Sequence, residues 1–271
     1  MEKYMIKWHD TLDSTNSEAA REAANLDNLS VIAASCQTAG RGQRGNRWSS
    51  ARGENLTFSI FLRFMTGTGA RPGDCPSLAA AEQFAISGIA TLAQCRLLAD
   101  AGIDATVKWP NDIYCGDRKI SGILVENTLS GKLVRTSVAG IGLNVNQKVF
   151  PPELPNPVSM SLLTGREYDV KELLGTFMDI FTGTLGLLWE PQVLKEEYES
   201  RLYRRGVESS FADISSRDAT LPANALMSGN AYGDKIFRGT IEGISSCGLL
   251  QVRTTDGAIR EFGFKEIAYI I

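Results

Sequence analysis

Apolar residues recur along this chain with two different spacings, and the switches between them divide it into elements. YMIKW at 4–8 reads as a strand, after which Asp13 or Ser14 offers an oxygen to cap an Ala-rich helix carrying Glu18, Ala19, Ala20, Ala23 and Ala24. VIAASCQ at 31–37 and LTFSIFLRF at 56–64 are β-branched or alternating runs, hence two further strands, with a long polar loop between them. From Pro76 to about Asp100 the spacing turns helical, with Leu78, Ala81, Ala85, Ile89, Leu92 and Cys95 along one side, which predicts a central core helix. ATVKW, DIYCG, KISGILVE and VRTSVAGIGLNVN then follow in close succession, joined by the polar turns GDR (116–118) and NTLSGK (127–132), so antiparallel hairpins are expected.

PPELPNP at 151–157 breaks the pattern, and VKELLGTFMDIFTGTLGLLWE and PQVLKEEYESRLYRR read as two helices, the second with Pro191 in its first turn. The stretch from about Ser209 to Asp234 reads as loop, and KIFRGTIEGI, GLLQVRTT and AIREFGFKEI as three short strands. The expected organisation is a main α/β domain over 1–205 and a small β-barrel or sheet domain over 206–271, too small to stand without the main domain's surface.

Composition narrows the chemistry. With 28 Lys and Arg against 31 Asp and Glu in 271 residues, the chain lacks the charge for broad nonspecific duplex binding, so basic chemistry must be local. A single histidine, His9, removes most imidazole-based hydrolase and multi-histidine metal sites. Cys36, Cys75, Cys95, Cys115 and Cys247 form no CxxC pair and read as reduced, mostly core thiols. No apolar run reaches the roughly 18 to 20 residues of a membrane helix, and the start lacks a secretory stretch; a cytoplasmic chain with no membrane partner is expected.

Four segments carry candidate chemistry. Gln37-Thr-Ala-Gly-Arg-Gly-Gln-Arg-Gly-Asn-Arg-Trp48 follows a strand and combines Cβ-free backbone with arginines, which suits an anion-binding loop and equally a solvated basic hairpin. It is neither a Walker A loop nor a Rossmann fingerprint. Lys108-Trp-Pro-Asn-Asp112 holds a lysine at a strand end, where it can be aimed into a cleft or merely flank a buried Trp109. Gly122 inside DRKISGILVEN (117–127) signals a bulge or a close backbone approach, and GIGLNVN (140–146) is either a central strand with polar ends or a site strand offering Asn144 and Asn146.

Taken in order, Asp13-Ser-Thr-Asn16, QTAGRGQRGNRW, KWPND, DRKISGILVEN and GIGLNVN resemble the catalytic domain of the biotin protein ligases, over about residues 10–147. The resemblance implies a mixed-sheet α/β (α+β) catalytic domain related to class II aminoacyl-tRNA synthetases, followed by an SH3-like barrel. It implies activation of biotin by ATP, with Mg2+ as counter-ion, to biotinyl-5'-AMP, then transfer to one lysine of a biotin carboxyl carrier protein or a carboxylase biotinyl domain. No tightly bound prosthetic group is expected, and the magnesium ligands stay unassigned, with Asp112 a candidate for cation or acceptor-lysine contact.

By the same resemblance, Ser14, Thr15, Asn16 and Gln37 bind the ureido ring; Arg41, Gly42 and Gln43 belong to a loop that closes over the ligand; and Gly122, Ile123 and Leu124 line the biotin rings. Lys108 bridges biotin's carboxylate and the α-phosphate, Trp48 lies against adenine, and Asn144 contacts the base. Arg41, Arg44 and Lys108 are the expected catalytic residues. Many members read GRGRRG where this chain has Gly40-Arg-Gly-Gln-Arg-Gly45, so Arg44 is expected to compensate for the charge that Gln43 lacks. The first catalytic strand begins almost at Met1, so no winged helix and no DNA partner are expected; monomers and homodimers both occur in the family. The rivals are a lipoate or octanoate transferase of the same superfold and a noncatalytic nucleotide- or RNA-binding module.

Overall fold

The computed structural model describes residues 4–67, 71, 73–215 and 235–270, the side chain of Arg44 excepted. Its first sheet runs β1 (Ile6–His9), β2 (Val31–Ala34), β3 (Leu56–Arg63), β8 (Leu133–Leu143), β7 (Arg118–Ser130), β6 (Asp112–Cys115), β5 (Thr106–Lys108), with β4 (Leu78–Ala79) paired to β8. Only β1 and β2 pair in parallel; the other neighbours are antiparallel, as the short polar links predict.

Every residue of β3 is buried, so both faces of the sheet are covered there. Phe58, Ile60 and Leu62 join the main core, which α2 (Phe84–Asp100) and α4 (Val170–Thr184) cover, whereas Phe61 joins Ala19, Leu26, Ile32 and Val138 beneath α1 (Thr15–Glu22). Ser14 caps α1, its hydroxyl accepting from the amide of Ser17. The helix is short and leaves the neighbouring part of its sheet face open, which becomes the site described below.

α2 packs against α4, α5 (Pro191–Ser200) and β6 to β8, and it is buried continuously from Ile86 to Cys95. A helix enclosed on all sides needs no apolar stripe. This corrects the expected helix of 76–100: it starts at Phe84, Leu78 belongs to β4, and Ala81 to a 3-10 turn over Ala80–Glu82. The final helix likewise ends at Ser200, because Leu202 bridges to Val107 instead. A short helix α3 (Met160–Thr164), capped by Ser159, follows the proline-rich break.

The second sheet is wholly antiparallel, ordered β12 (Ile259–Phe262), β11 (Leu250–Thr254), β10 (Ile236–Ile244), β9 (Glu208–Asp213), β13 (Ile267–Ile270). Two expectations are corrected here. Residues from Ser209 are not all loop, since β9 pairs with both β10 and β13. AIREFGFKEI is the whole of β12, a turn and the first residue of β13 rather than one strand. Residues 216–234 of the expected loop lie outside the described residues.

This sheet is fastened to the first by aromatic and hydrogen-bond contacts around Trp109. The Trp109 indole donates to the carbonyl of Gly248 at 2.9 Å, and Phe264 meets Trp109 edge-on with ring centroids 5.3 Å apart. Gly248 has φ +82 and its backbone lies against Phe84, where a Cβ would overlap the ring, so this turn requires glycine. On α5, Glu199 accepts from the amide of Ile244 at 2.8 Å.

Candidate active site

On the face left open beside α1, two rows of cross-strand neighbours form a floor. One row is Gly140 and Leu124, continued on β3 by the buried Ser59; the next is Gly142, Gly122 and Asp112, continued by the buried Thr57 on β3 and by Lys108 on β5. Two residues along a strand separate the rows, about 7 Å. Glycines occupy the middle of both because other side chains need the space: a methyl at Gly140 would overlap Asn16 Oδ1, and one at Gly142 the indole of Trp48. The resulting cleft has a cavity volume of about 240 Å³.

One end of the cleft is hydroxyl and amide. The Thr15 amide donates to Gln37 Oε1 at 2.8 Å, and the Ser59 hydroxyl lies 2.8 Å from Thr15 Oγ1 and 2.6 Å from Asn16 Oδ1. Asn16 Nδ2 donates to Glu126 Oε2 at 2.8 Å, and Glu126 accepts two bonds from Arg41, at 2.9 and 2.6 Å. The turn that caps α1 and the arginine of the glycine-rich loop thus share one carboxylate. With Gln37 Oε1 occupied by Thr15, its NH2 group is what this end can offer as a donor.

The other end is aromatic. The loop folds back as a small hairpin in which the Gly42 amide bonds to the Asn46 carbonyl at 2.7 Å and the Trp48 amide to the Gly40 carbonyl at 3.0 Å. This seats Trp48 over Gly142, its indole N–H buried and without an acceptor among the described residues. Beside it, Lys119 Nζ lies 2.6 Å from Asp112 Oδ1 and 6.0 Å from the centre of the Trp48 ring.

The KWPND turn is held from three sides: Trp109 by the second sheet, the Pro110 carbonyl by the Tyr198 hydroxyl at 3.1 Å, and Asn111 by exchange of bonds with Ile123. That fixes Asp112 in the wall. Lys108 shares the Asp112 and Gly122 row but turns outward, donating to the Tyr114 hydroxyl at 3.1 Å and lying 4.7 and 5.2 Å from the rings of Tyr114 and Tyr269. Burial brings its ammonium down to about 8, with Asp112 opposing the shift.

Against this geometry, residues 5–144 match the Biotin/lipoate A/B protein ligase family. The chain belongs to that family. A ligase of the family from Paracoccus denitrificans, a biotin--[acetyl-CoA-carboxylase] ligase, is 32% identical over 173 residues, covering 62% of this chain and 68% of that protein. The bifunctional ligase/repressor BirA of Bacillus subtilis is 33% identical over 168 residues; the match covers 60% of this chain but only 48% of BirA, so about half of that protein is spanned. Among solved structures, the biotin protein ligase from Aquifex aeolicus in complex with biotin and ATP superposes with TM-score 0.69 at 25% identity, over 97% of each chain.

The ligase fold gathers most of the residues singled out from the sequence into one wall: Ser14, Thr15, Asn16, Gln37, Arg41, Gly42, Gln43, Trp48, Gly122, Ile123 and Leu124. It leaves two outside. Lys108 is turned away as described, and Asn144 is buried, donating to the Val158 carbonyl at 3.0 Å and holding the chain before α3. The Arg44 side chain lies outside the described residues.

Sequence reading missed Glu126, Lys119 and Lys265. The first two lie inside DRKISGILVEN: Glu126 alternates with Gly122 and Leu124, which was a usable signal, whereas Lys119 is out of that alternation and follows an irregular register between β6 and β7. Lys265 reaches the cleft only because the second sheet docks there. Among the described residues no cluster of three metal-ligating side chains occurs, and no helix is long and apolar enough to cross a membrane.

Proposed function

We propose that this ligase joins biotin to ATP as biotinyl-5'-AMP and then transfers the biotinyl group to one lysine of a biotin carboxyl carrier domain. The observation that carries the reading is the cleft itself: a hydroxyl and amide end and an indole end on adjacent rows of one glycine floor, in a chain of this family. The Aquifex ligase, alike over its whole length, holds biotin and ATP.

Ser14, Thr15, Asn16 and Gln37 bind the ureido ring, a neutral target suited to hydroxyls and amides, with the Gln37 NH2 facing its oxygen. Gly122, Ile123 and Leu124 border the rings; Trp48 stacks on adenine and offers its unpaired N–H; Asn144 would contact the base only on leaving the Val158 carbonyl. A biotin carboxylate oxygen attacks the α-phosphorus, the bond from that phosphorus to the bridging oxygen breaks, and pyrophosphate leaves with the electron pair. The acceptor lysine's amine then attacks the acyl carbon, the amide forms, and AMP leaves as the amine's proton passes to solvent. No enzyme nucleophile is required, so the residues act by positioning and by stabilising negative charge.

Lys108 turns from Tyr114 toward the carboxylate and α-phosphate when these anions arrive, while Arg41, Gly42, Gln43 and Arg44 close over the adenylate and keep water from the anhydride. Asp112 is the wall carboxylate that would help hold a Mg2+ ion brought with ATP, which would offset phosphate charge; a hard cation needs only one or two such groups beside the phosphates. We further assign 1–205 as the catalytic domain and 206–271 as an SH3-like barrel. The five free cysteines support work in a reducing cytoplasm.

The test is mass spectrometry of an acid-quenched mixture of the protein with Mg-ATP and either biotin or octanoate. Biotinyl-AMP without octanoyl-AMP is the expected result. Octanoyl-AMP alone would assign the chain to the lipoate branch, and no adenylate from folded protein would refute the activity.

A further inference from the structure

Glu126 stands on β7 two residues beyond Leu124, on the strand face that Gly122 and Leu124 present to the cleft. Its carboxylate is shared between two elements. Oε2 accepts from Asn16 Nδ2 at 2.8 Å and from Arg41 at 2.6 Å, and Oε1 accepts from Arg41 at 2.9 Å, so the guanidinium grips both oxygens at once. The buried Asn16 amide is committed as well: Nδ2 also donates to the Leu124 carbonyl at 3.2 Å, and Oδ1 lies 2.6 Å from the Ser59 hydroxyl. An amide with both ends occupied keeps one orientation.

The hairpin of 40–48 has few other fastenings. Its backbone bonds are internal, and among the described residues the bonds from Arg41 to Glu126 are the only side-chain hydrogen bonds that it makes to the rest of the chain. Beyond them it has the seat of Trp48 over Gly142. Arg41 is also balanced as a cation, since both of its terminal nitrogens are taken by Glu126. Arg47, its partner across the hairpin, lines the same cleft with no ion pair among the described residues, so the hairpin keeps a cation for an anionic ligand without drawing on Arg41.

We propose that Glu126 is a positioning residue of this site: its carboxylate anchors Arg41, and with it the hairpin of 40–48, to the Asn16 amide at the ureido end. Biotin therefore meets a hairpin already tied to the residues that recognise its ring, and Arg41 acts as the anchor's cation rather than as a ligand of the substrate's anions. The assignment rests on reading the hydroxyl and amide end as the biotin site.

The experiment compares wild type, Glu126→Gln, Arg41→Gln and the double variant by calorimetric titration with biotin and by hydrogen exchange over 40–48 without ligand. Charge alone predicts opposite signs for an anion such as biotin: Glu126→Gln removes a repulsion and tightens binding, whereas Arg41→Gln removes an attraction and weakens it. An anchor predicts one sign, because either change opens the same pair. In each single variant the Kd for biotin rises about 5-fold, the upper end for a half-exposed pair, and exchange over 40–48 quickens. In the double variant the Kd stays near about 5-fold instead of the roughly 25-fold that independent effects would give. Biotin binding by Glu126→Gln as tight as wild type or tighter, independent effects in the double variant, unchanged exchange in Glu126→Gln, or no biotin binding by wild type overturns the assignment. If wild type binds biotin but forms no biotinyl-AMP, the ligase reading fails, and the comparison of variants still decides Glu126.

Discussion

Replacing Lys108 by methionine tests where its ammonium rests. Burial between the Tyr114 and Tyr269 rings lowers the group from 10.5 to about 8. Keeping it charged at pH 7 therefore costs the fold roughly 3 kcal/mol relative to a solvated lysine. The unfolded chain holds this proton up to 10.5, whereas the folded chain releases it near 8, so between those values the unfolded state binds more protons and stability rises with pH. Methionine has the length and no charge. From pH 7 to pH 10, wild type should gain about 2.5 kcal/mol on Lys108→Met, measured as the difference in urea unfolding free energy at 25 °C. A difference constant to within about 0.5 kcal/mol would mean that the ammonium is solvated or already in the cleft, and the outward geometry would be wrong. The same protonation has a functional counterpart: kcat/KM for ATP falls as pH rises above about 8, because a neutral Lys108 cannot attract the anions.

Further outcomes follow from the floor and the loop. Gly142→Ala puts a methyl into the Trp48 indole, so the KM for ATP should rise at least about 10-fold while calorimetric biotin affinity changes little; an unaltered KM for ATP would dissociate Trp48 from the nucleotide. Glu126→Gln keeps an oxygen for Asn16 but removes the charge that Arg41 grips; at this half-exposed pair the stability loss should stay below about 1 kcal/mol, with hydrogen exchange over 40–48 faster. Biotin with Mg-ATP should slow exchange across 38–50 in wild type, and equal rates with and without ligands would show that the loop does not close.

Sequence pattern carried the first sheet well because hairpins of alternating or β-branched residues advertise both their face and their turns. It misjudged α2, since a helix enclosed on every side has apolar residues all round and the run simply extends backward into β4. β9 was hidden because four of the six residues of ESSFAD are polar, and its pairing partners β10 and β13 lie far along the chain. The site divides in the same way. Contiguous pieces such as 14–16, 37–48 and 122–124 were legible since their chemistry is local. Lys108 and Asn144 were named, yet the direction of the first depends on Tyr269 in the other sheet, and the amide of the second is taken by Val158. Lys265 carries no local signal at all; a lysine in a turn becomes a wall residue only through Phe264 and Trp109.

The bare floor limits how the pocket can be redesigned. At Gly140 and Gly142 there is nothing left to trim, and any other residue only takes away room that Asn16 and Trp48 already fill. A variant meant to accept a bulkier acid has to gain its space at the rim, by lengthening the hairpin of 40–48 or resetting the turn at 263–266, and on the proposed reading the first of these also keeps the adenylate dry.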